Sequence, residues 1–227
     1  MQYTMGDSVT PVGGESDVIT VVDLNDFYIA AEIAAPQGCW PAVKAAGEGQ
    51  TLKNSLYYYN GAFEFRRLSG GDITFLNTLP LSDYLKGVLP YEMNGDWPLE
   101  ALKAQAVTAR TYTLYKRSIG VNPNHPDADV CADINCCQAY LDPDKAAANW
   151  GDSAQTYTEK IAQAVSSTDG QAILYDGAPI DAVFFSSAAG RTLSSVEVWG
   201  GSVPYLESVE SPEGEEVPNY RTTVEVP

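Results

Sequence analysis

The sequence predicts an α+β fold, a small N-terminal β region followed by a helical core with β-hairpins, and three observations carry that prediction. Strand-type runs crowd the N-terminal third, at 17–24, 55–59, 62–67 and 72–76. From Pro80 the apolar spacing turns helical. Beyond the helices, Asp176-Gly177 separates two more strand runs, 171–175 and 178–185, as the strongest short hairpin signal in the chain. The expected division is residues 1–78 as the β-rich region and 79–227 as the region that carries function.

Taken in order, Asn60-Gly61 and Gly70-Gly71 are expected turns between the early strands. Ser82 is placed to cap a helix whose apolar positions are Leu85, Val88 and Leu89. Pro90 is expected to end that helix, leaving Glu92 just past the break. A longer helix over 97–117 starts near Pro98 and carries basic residues at its end. Gly120 stops it, and Leu99, Leu102, Ala106 and Ala109 line its buried face. Residues 122–144 read as a loop dense in Pro, Asp, Asn and Cys, followed by a helix over 152–166 with Ile161 and Val165 one turn apart. The closing residues alternate Arg221, Thr223 and Glu225 with Thr222, Val224 and Val226, a strand pattern with no turn after it, so a truncated C-terminus is expected.

Composition narrows the function classes. The chain has 227 residues, enough for one large domain or two small ones, and 44% of them are apolar, which supports a packed core. With 13 basic against 30 acidic residues the net charge is −17, a field that repels nucleic-acid phosphates and anionic lipid surfaces. No run of about 18 apolar residues is present to span a membrane. The first residues, Met1 to Gly14, lack the basic and apolar regions of an export signal. A serine-hydrolase reading fails because the only histidine is His125 and no Gly-x-Ser-x-Gly elbow occurs. A zinc amidase or deaminase reading lacks a Glu in the His-x-Glu position.

Three stretches resemble a known family. Leu81-Ser82-Asp83-Tyr84-Leu85-Lys86-Gly87-Val88 is followed by Pro90-Tyr91-Glu92-Met93, then by Trp97-Pro98-Leu99-Glu100-Ala101-Leu102-Lys103-Ala104-Gln105-Ala106 running on to Ala109-Arg110-Thr111-Tyr112. In order and spacing these resemble the core signature of the SpoIID/LytB domain. Cys137-Gln138-Ala139-Tyr140, Gly190-Arg191-Thr192, Val198-Trp199-Gly200 and Pro204-Tyr205-Leu206 extend the match. The sequence departs from the family pattern at Tyr91, where Ser is usual, and over Phe185-Ser186-Ser187-Ala188-Ala189-Gly190-Arg191, where the family runs His-Ser-Thr-Ser-Gly-Gly-Arg.

The resemblance implies an extracellular or cell-envelope enzyme, its export or anchor segment absent from this chain. Its expected reaction is that of a lytic transglycosylase, as in spore engulfment. Peptidoglycan glycan strands denuded of stem peptides would be cut with formation of 1,6-anhydro-MurNAc. The family's other member class implies the alternative, a non-catalytic glycan-binding enhancer whose partner is a cell-wall amidase.

Glu92 is the expected catalytic residue. One carboxyl would first protonate the departing glycosidic oxygen and then accept the proton of the sugar's C6 hydroxyl, where a hydrolase needs two carboxylates. Holding a proton near neutral pH requires a raised pKa, and Tyr91, Met93 and Trp97 are the expected source of burial. Glu100, in a first helical turn, reads better as compensation of the helix dipole. Arg191 and Arg110 are expected to grip the lactyl carboxylates of muramic acid, with a structural ion pair as the alternative for Arg110. Ser186, Ser187 and Thr192 offer hydroxyls to sugar, and Tyr140 a stacking face.

His125, Cys131, Cys136 and Cys137 offer the imidazole and thiolate ligands that tetrahedral zinc prefers. The resemblance implies His125, Cys131 and Cys137 as the zinc ligands, in a structural or supporting role. The fourth position then falls to water, another side chain or a small molecule. Cys136 is left over, to pair with Cys39 in an oxidising compartment, and two disulfides beside a surface histidine are the alternative to zinc.

Overall fold

The structure is a computed structural model that describes residues 18–22, 42–44, 52–53, 58–59, 62–67, 73–188, 190–212 and 223. The expected turns at Asn60-Gly61 and Gly70-Gly71, together with Cys39 and Ala189, lie outside the described residues. The chain divides into two compact units, Met1–Ala182 and Val183–Pro227.

The first unit is α+β, as predicted. Strands β1 (Val18–Val22), β2 (Ala42–Lys44), β3 (Leu52–Lys53), β4 (Tyr58–Tyr59), β5 (Ala62–Arg67) and β6 (Ile73–Pro80) precede the helices. β5 and β6 form an antiparallel ladder from Ala62 opposite Thr78 to Arg67 opposite Ile73, the register expected of a hairpin closed near Gly70-Gly71. Of the strands that flank Asn60-Gly61, β4 pairs with β3 while β5 is taken up by β2 and β6. A strand has only two edges, and β5 spends both inside the main sheet.

Helix α1 (Leu81–Glu92) follows β6 directly and buries Leu81, Tyr84, Leu85, Val88 and Leu89 on one face. Two local expectations are corrected here. The residue at the N-cap is Pro80, with no side-chain cap, so Ser82 is not the cap. Pro90 does not end the helix, which continues to Glu92. Proline removes one N–H and crowds the carbonyl four residues back, yet Met93 N–H still donates to Leu89 O at 2.8 Å. Fully buried Val88 and Leu89 anchor the turn that proline would otherwise loosen.

Helix α2 (Leu99–Ser118) packs Leu102, Ala106 and Ala109 into the same core, with Leu99 partly buried against it, as the periodicity predicts. Gly120, at φ +85°, leaves the helix in the left-handed conformation. Strand β7 (Val130–Cys131) then returns to the sheet, parallel to β1, giving the order β2-β5-β6-β1-β7. Helix α3 (Pro143–Trp150) was not expected, although its start is legible: the Asp142 side chain accepts from the N–H of Asp144 and Lys145 at 2.7 and 3.3 Å, and Pro143 fills the first turn. Helix α4 (Ala154–Ser167) adds Ile161, Ala164 and Val165 to the core.

The hairpin β8 (Leu174–Tyr175) and β9 (Ala178–Pro179) forms at Asp176-Gly177, whose φ values of +50° and +77° are those of a type I′ turn. It is shorter than predicted. Pro179 has no N–H for the ladder, and Ile180 N–H to Ile173 O at 3.2 Å is its last bond.

In the second unit, α5 (Ser195–Trp199) begins with a capping box between Ser194 and Glu197 and ends at Gly200 in the left-handed conformation. No helix among the described residues is long and apolar enough to cross a membrane.

Candidate functional site

Glu92 is the last residue of α1 and is half-buried. Burial raises its carboxyl above the ordinary value. Of the three expected neighbours, Tyr91 and Trp97 are 51% and 52% exposed. Met93 packs against the core, as do Val88 and Leu89 one turn below. Glu100 is held instead in an exposed ion pair with Lys103 at 2.7 Å in the first turn of α2.

Arg110, expected either to grip a substrate carboxylate or to form a structural ion pair, is buried inside the first unit. It has no accessible surface and donates to Val165 O at 3.1 Å, Gln171 O at 3.2 Å and Thr168 Oγ1 at 3.4 Å. These acceptors lie at and beyond the C-terminal end of α4, where helix carbonyls lack partners. Burial lowers its pKa to about 10, with Asp169 opposing, so it stays charged. It joins α2 to α4, out of reach of a substrate carboxylate. Replacing it with Met is expected to lower stability by about 3 kcal/mol by stranding these carbonyls, read as an earlier denaturant midpoint.

Tyr140 is likewise turned inward. Its ring stacks on Tyr84 at 5.9 Å and lies so close to Gly87 that no side chain fits there. Leu141 N–H donates to Gly87 O at 2.9 Å, so the end of the loop is docked on α1.

In the second unit, Arg191 pairs with Glu197 at 3.2 Å and both remain exposed. The Thr192 hydroxyl accepts from Val209 N–H at 2.9 Å. Ser186 and Ser187 are exposed.

The loop after α2 gathers His125, Cys131, Cys136 and Cys137, with their ligand atoms within 4.8 Å of one another. His125, Cys131 and Cys137 are buried. Cys131, Cys136 and Cys137 form no disulfide with one another. His125 Nδ1 lies 3.0 Å from Ala128 O. A carbonyl only accepts, so Nδ1 carries the proton and Nε2 presents its lone pair to the cluster, 3.3 Å from Cys137 Sγ. An imidazole whose outer nitrogen donates to a carbonyl is the usual orientation of a metal ligand. Cys131 is positioned by β7, and burial pushes its thiol up to about 12, with Cys137 adding to the rise and the Asp133 backbone N–H opposing it. A divalent cation stabilises the thiolate form of such groups, and one imidazole with three sulfurs within 4.8 Å of one another is a soft-metal donor set. The group therefore fits a soft divalent metal.

The cluster also anchors the loop to the helices. Gln138, buried, accepts from the Thr113 hydroxyl of α2 at 3.1 Å. Burial, then Cys137, raises the Tyr84 hydroxyl of α1. Tyr84 lies two turns before Glu92, roughly 12 Å along the axis. Sequence reasoning set Cys136 apart and did not foresee Asn122 and Asn124, whose amides reach the Cys136 sulfur.

Residues 69–175 match the family described as Stage II sporulation protein, SpoIID. Stage II sporulation protein D of Bacillus subtilis (strain 168) is 35% identical over 148 residues, 65% of this chain and 43% of that protein. The protein of the same name from Bacillus amyloliquefaciens is 33% identical over 149 residues, with the same two shares of 65% and 43%. A Bacillus subtilis (strain 168) protein named amidase enhancer is 39% identical over 122 residues, 54% of this chain and 14% of that protein. The chain thus spans less than half the length of these curated relatives.

Proposed function

The chain belongs to the SpoIID family, and from that premise we propose that it acts at the bacterial cell wall as a lytic transglycosylase on peptidoglycan glycan strands, with Glu92 as acid and base. The observation that carries this reading is the half-buried carboxyl of Glu92 at the C-terminal end of α1, which holds its proton more tightly than a solvated glutamate. Glu92 delivers that proton to the glycosidic oxygen as the bond to the muramic acid C1 breaks. The resulting carboxylate takes the proton from the C6 hydroxyl as its oxygen closes on C1, which returns the acid to its starting state without water. Tyr91, next to Glu92 in the chain, and Trp97 are exposed aromatic faces of the kind that stack on sugar rings. The second unit by itself carries Ser186, Ser187, Arg191 and Thr192, a guanidinium and hydroxyls of the kind that bind glycan carboxylates and hydroxyls.

His125, Cys131 and Cys137 hold zinc in this reading, whose chemistry is to cross-link the loop to the sheet and helices. Location in the extracellular space or cell envelope follows from the substrate. Incubation with denuded glycan strands tests the reaction. Products ending in 1,6-anhydro-MurNAc are expected, and reducing ends alone would refute it in favour of hydrolysis.

A second reading has its own support in the relative named amidase enhancer. Here the chain binds glycan and stimulates a cell-wall amidase. Stimulation of a purified amidase that persists with Glu92→Gln, with no anhydro products from the chain alone, would favour it.

A further inference from the structure

We propose that Cys136 is a fourth metal ligand, which makes the loop site a closed set of three cysteines and one histidine with no position left for water. This rests on the metal reading above and assigns the corner that reading left open. The geometry of the turn carries it. Cys136 N–H and Cys137 N–H both donate to Asp133 O, at 3.0 and 2.8 Å, which coils the chain tightly enough to bring two adjacent side chains to one point. Their sulfurs are 3.9 Å apart. With zinc–sulfur bonds of about 2.3 Å, the edge of a tetrahedron is about 3.8 Å. Cys136 Sγ also belongs to the group whose ligand atoms all lie within 4.8 Å, so it faces His125 and Cys131 as well as its neighbour.

The surroundings of this sulfur fit a metal-bound thiolate. Asn122 Nδ2 donates to it at 3.4 Å and Asn124 Nδ2 at 3.8 Å. Backbone N–H groups serve the other two sulfurs, that of Asp133 at Cys131 and that of Cys131 at Cys137. Three thiolates and a neutral imidazole around a divalent cation leave one net negative charge, and N–H donors of this kind stabilise it. Loading releases the three thiol protons to solvent and changes no oxidation state. Cys136 is the most exposed of the four, at the corner through which water would otherwise enter. With that corner filled, the metal holds the loop and activates no water, which leaves the proton transfers to Glu92.

The test uses the full chain, purified under reducing conditions, stripped of metal and loaded with cobalt(II). Sulfur-to-cobalt charge-transfer absorption scales with the number of thiolates, so Cys136→Ser is expected to lose about one third of it, as Cys131→Ser does. Undiminished absorption in Cys136→Ser beside a loss in Cys131→Ser overturns the proposal. Failure of the unmutated chain to take up cobalt or zinc overturns the metal reading itself. Alkylation of the unmutated, zinc-loaded chain avoids any folding defect of the variants. Protection of Cys136 together with Cys131 and Cys137, lost on chelation, is expected. Selective modification of Cys136 with zinc retained, or its recovery in a disulfide, overturns the assignment.

Discussion

Glu92→Gln is expected to lower kcat/KM on denuded glycan by roughly 10²–10⁴-fold, the range that a positioned general acid and base contributes. Gln keeps the shape of the side chain and cannot carry the proton, so the anhydro products should vanish while circular dichroism and metal content stay unchanged. The pH dependence follows from the direction of the shift. Burial raises the folded pKa, so kcat/KM should fall as pH rises through that raised value, where the acid form is lost. For stability, both folded and unfolded chains hold the proton below the ordinary value. Above it the folded chain holds the proton more tightly, and the stability present in acid is lost as pH rises through the folded pKa. Glu92→Gln should therefore match the unmutated chain in thermal unfolding at low pH and exceed it at neutral pH. A residual rate within tenfold of the unmutated chain would remove Glu92 from the chemistry.

Removal of the metal is expected to produce the largest loss of stability. A loop that binds metal only when folded converts its binding energy into folding energy. A loss of about 3–5 kcal/mol corresponds, at roughly 2–4 °C per kcal/mol for a chain of this size, to an unfolding midpoint lower by about 10 °C. Chelation of the unmutated chain and His125→Ala should give the same shift, with zinc restoring the first and not the second. Because the loop docks on α1 through Leu141 and on α2 through Gln138, activity should fall with this loosening. An unfolding midpoint that ignores both zinc and chelator would exclude the metal from the fold.

The sequence by itself determined the parts whose cause is local. The small residues and basic end of α2, the Asp176-Gly177 turn and the helical spacing of Leu85, Val88 and Leu89 are written in neighbouring residues, where periodicity and turn chemistry act. The types of the site residues were legible too, as an isolated glutamate and a cluster of one histidine with cysteines. Tertiary structure decided what depends on packing between distant segments. Pro90 remains helical because Val88 and Leu89 are clamped in the core. Arg110 turns inward because α4 ends where its fork can serve the free carbonyls, and Tyr140 because Gly87 leaves room for its ring. Cys131 reaches the cluster on a strand that pairs with β1, more than a hundred residues earlier in the chain. Cys136 joins it through a turn that no spacing rule predicts, because the direction of adjacent side chains is set by backbone coiling and not by the order of residues.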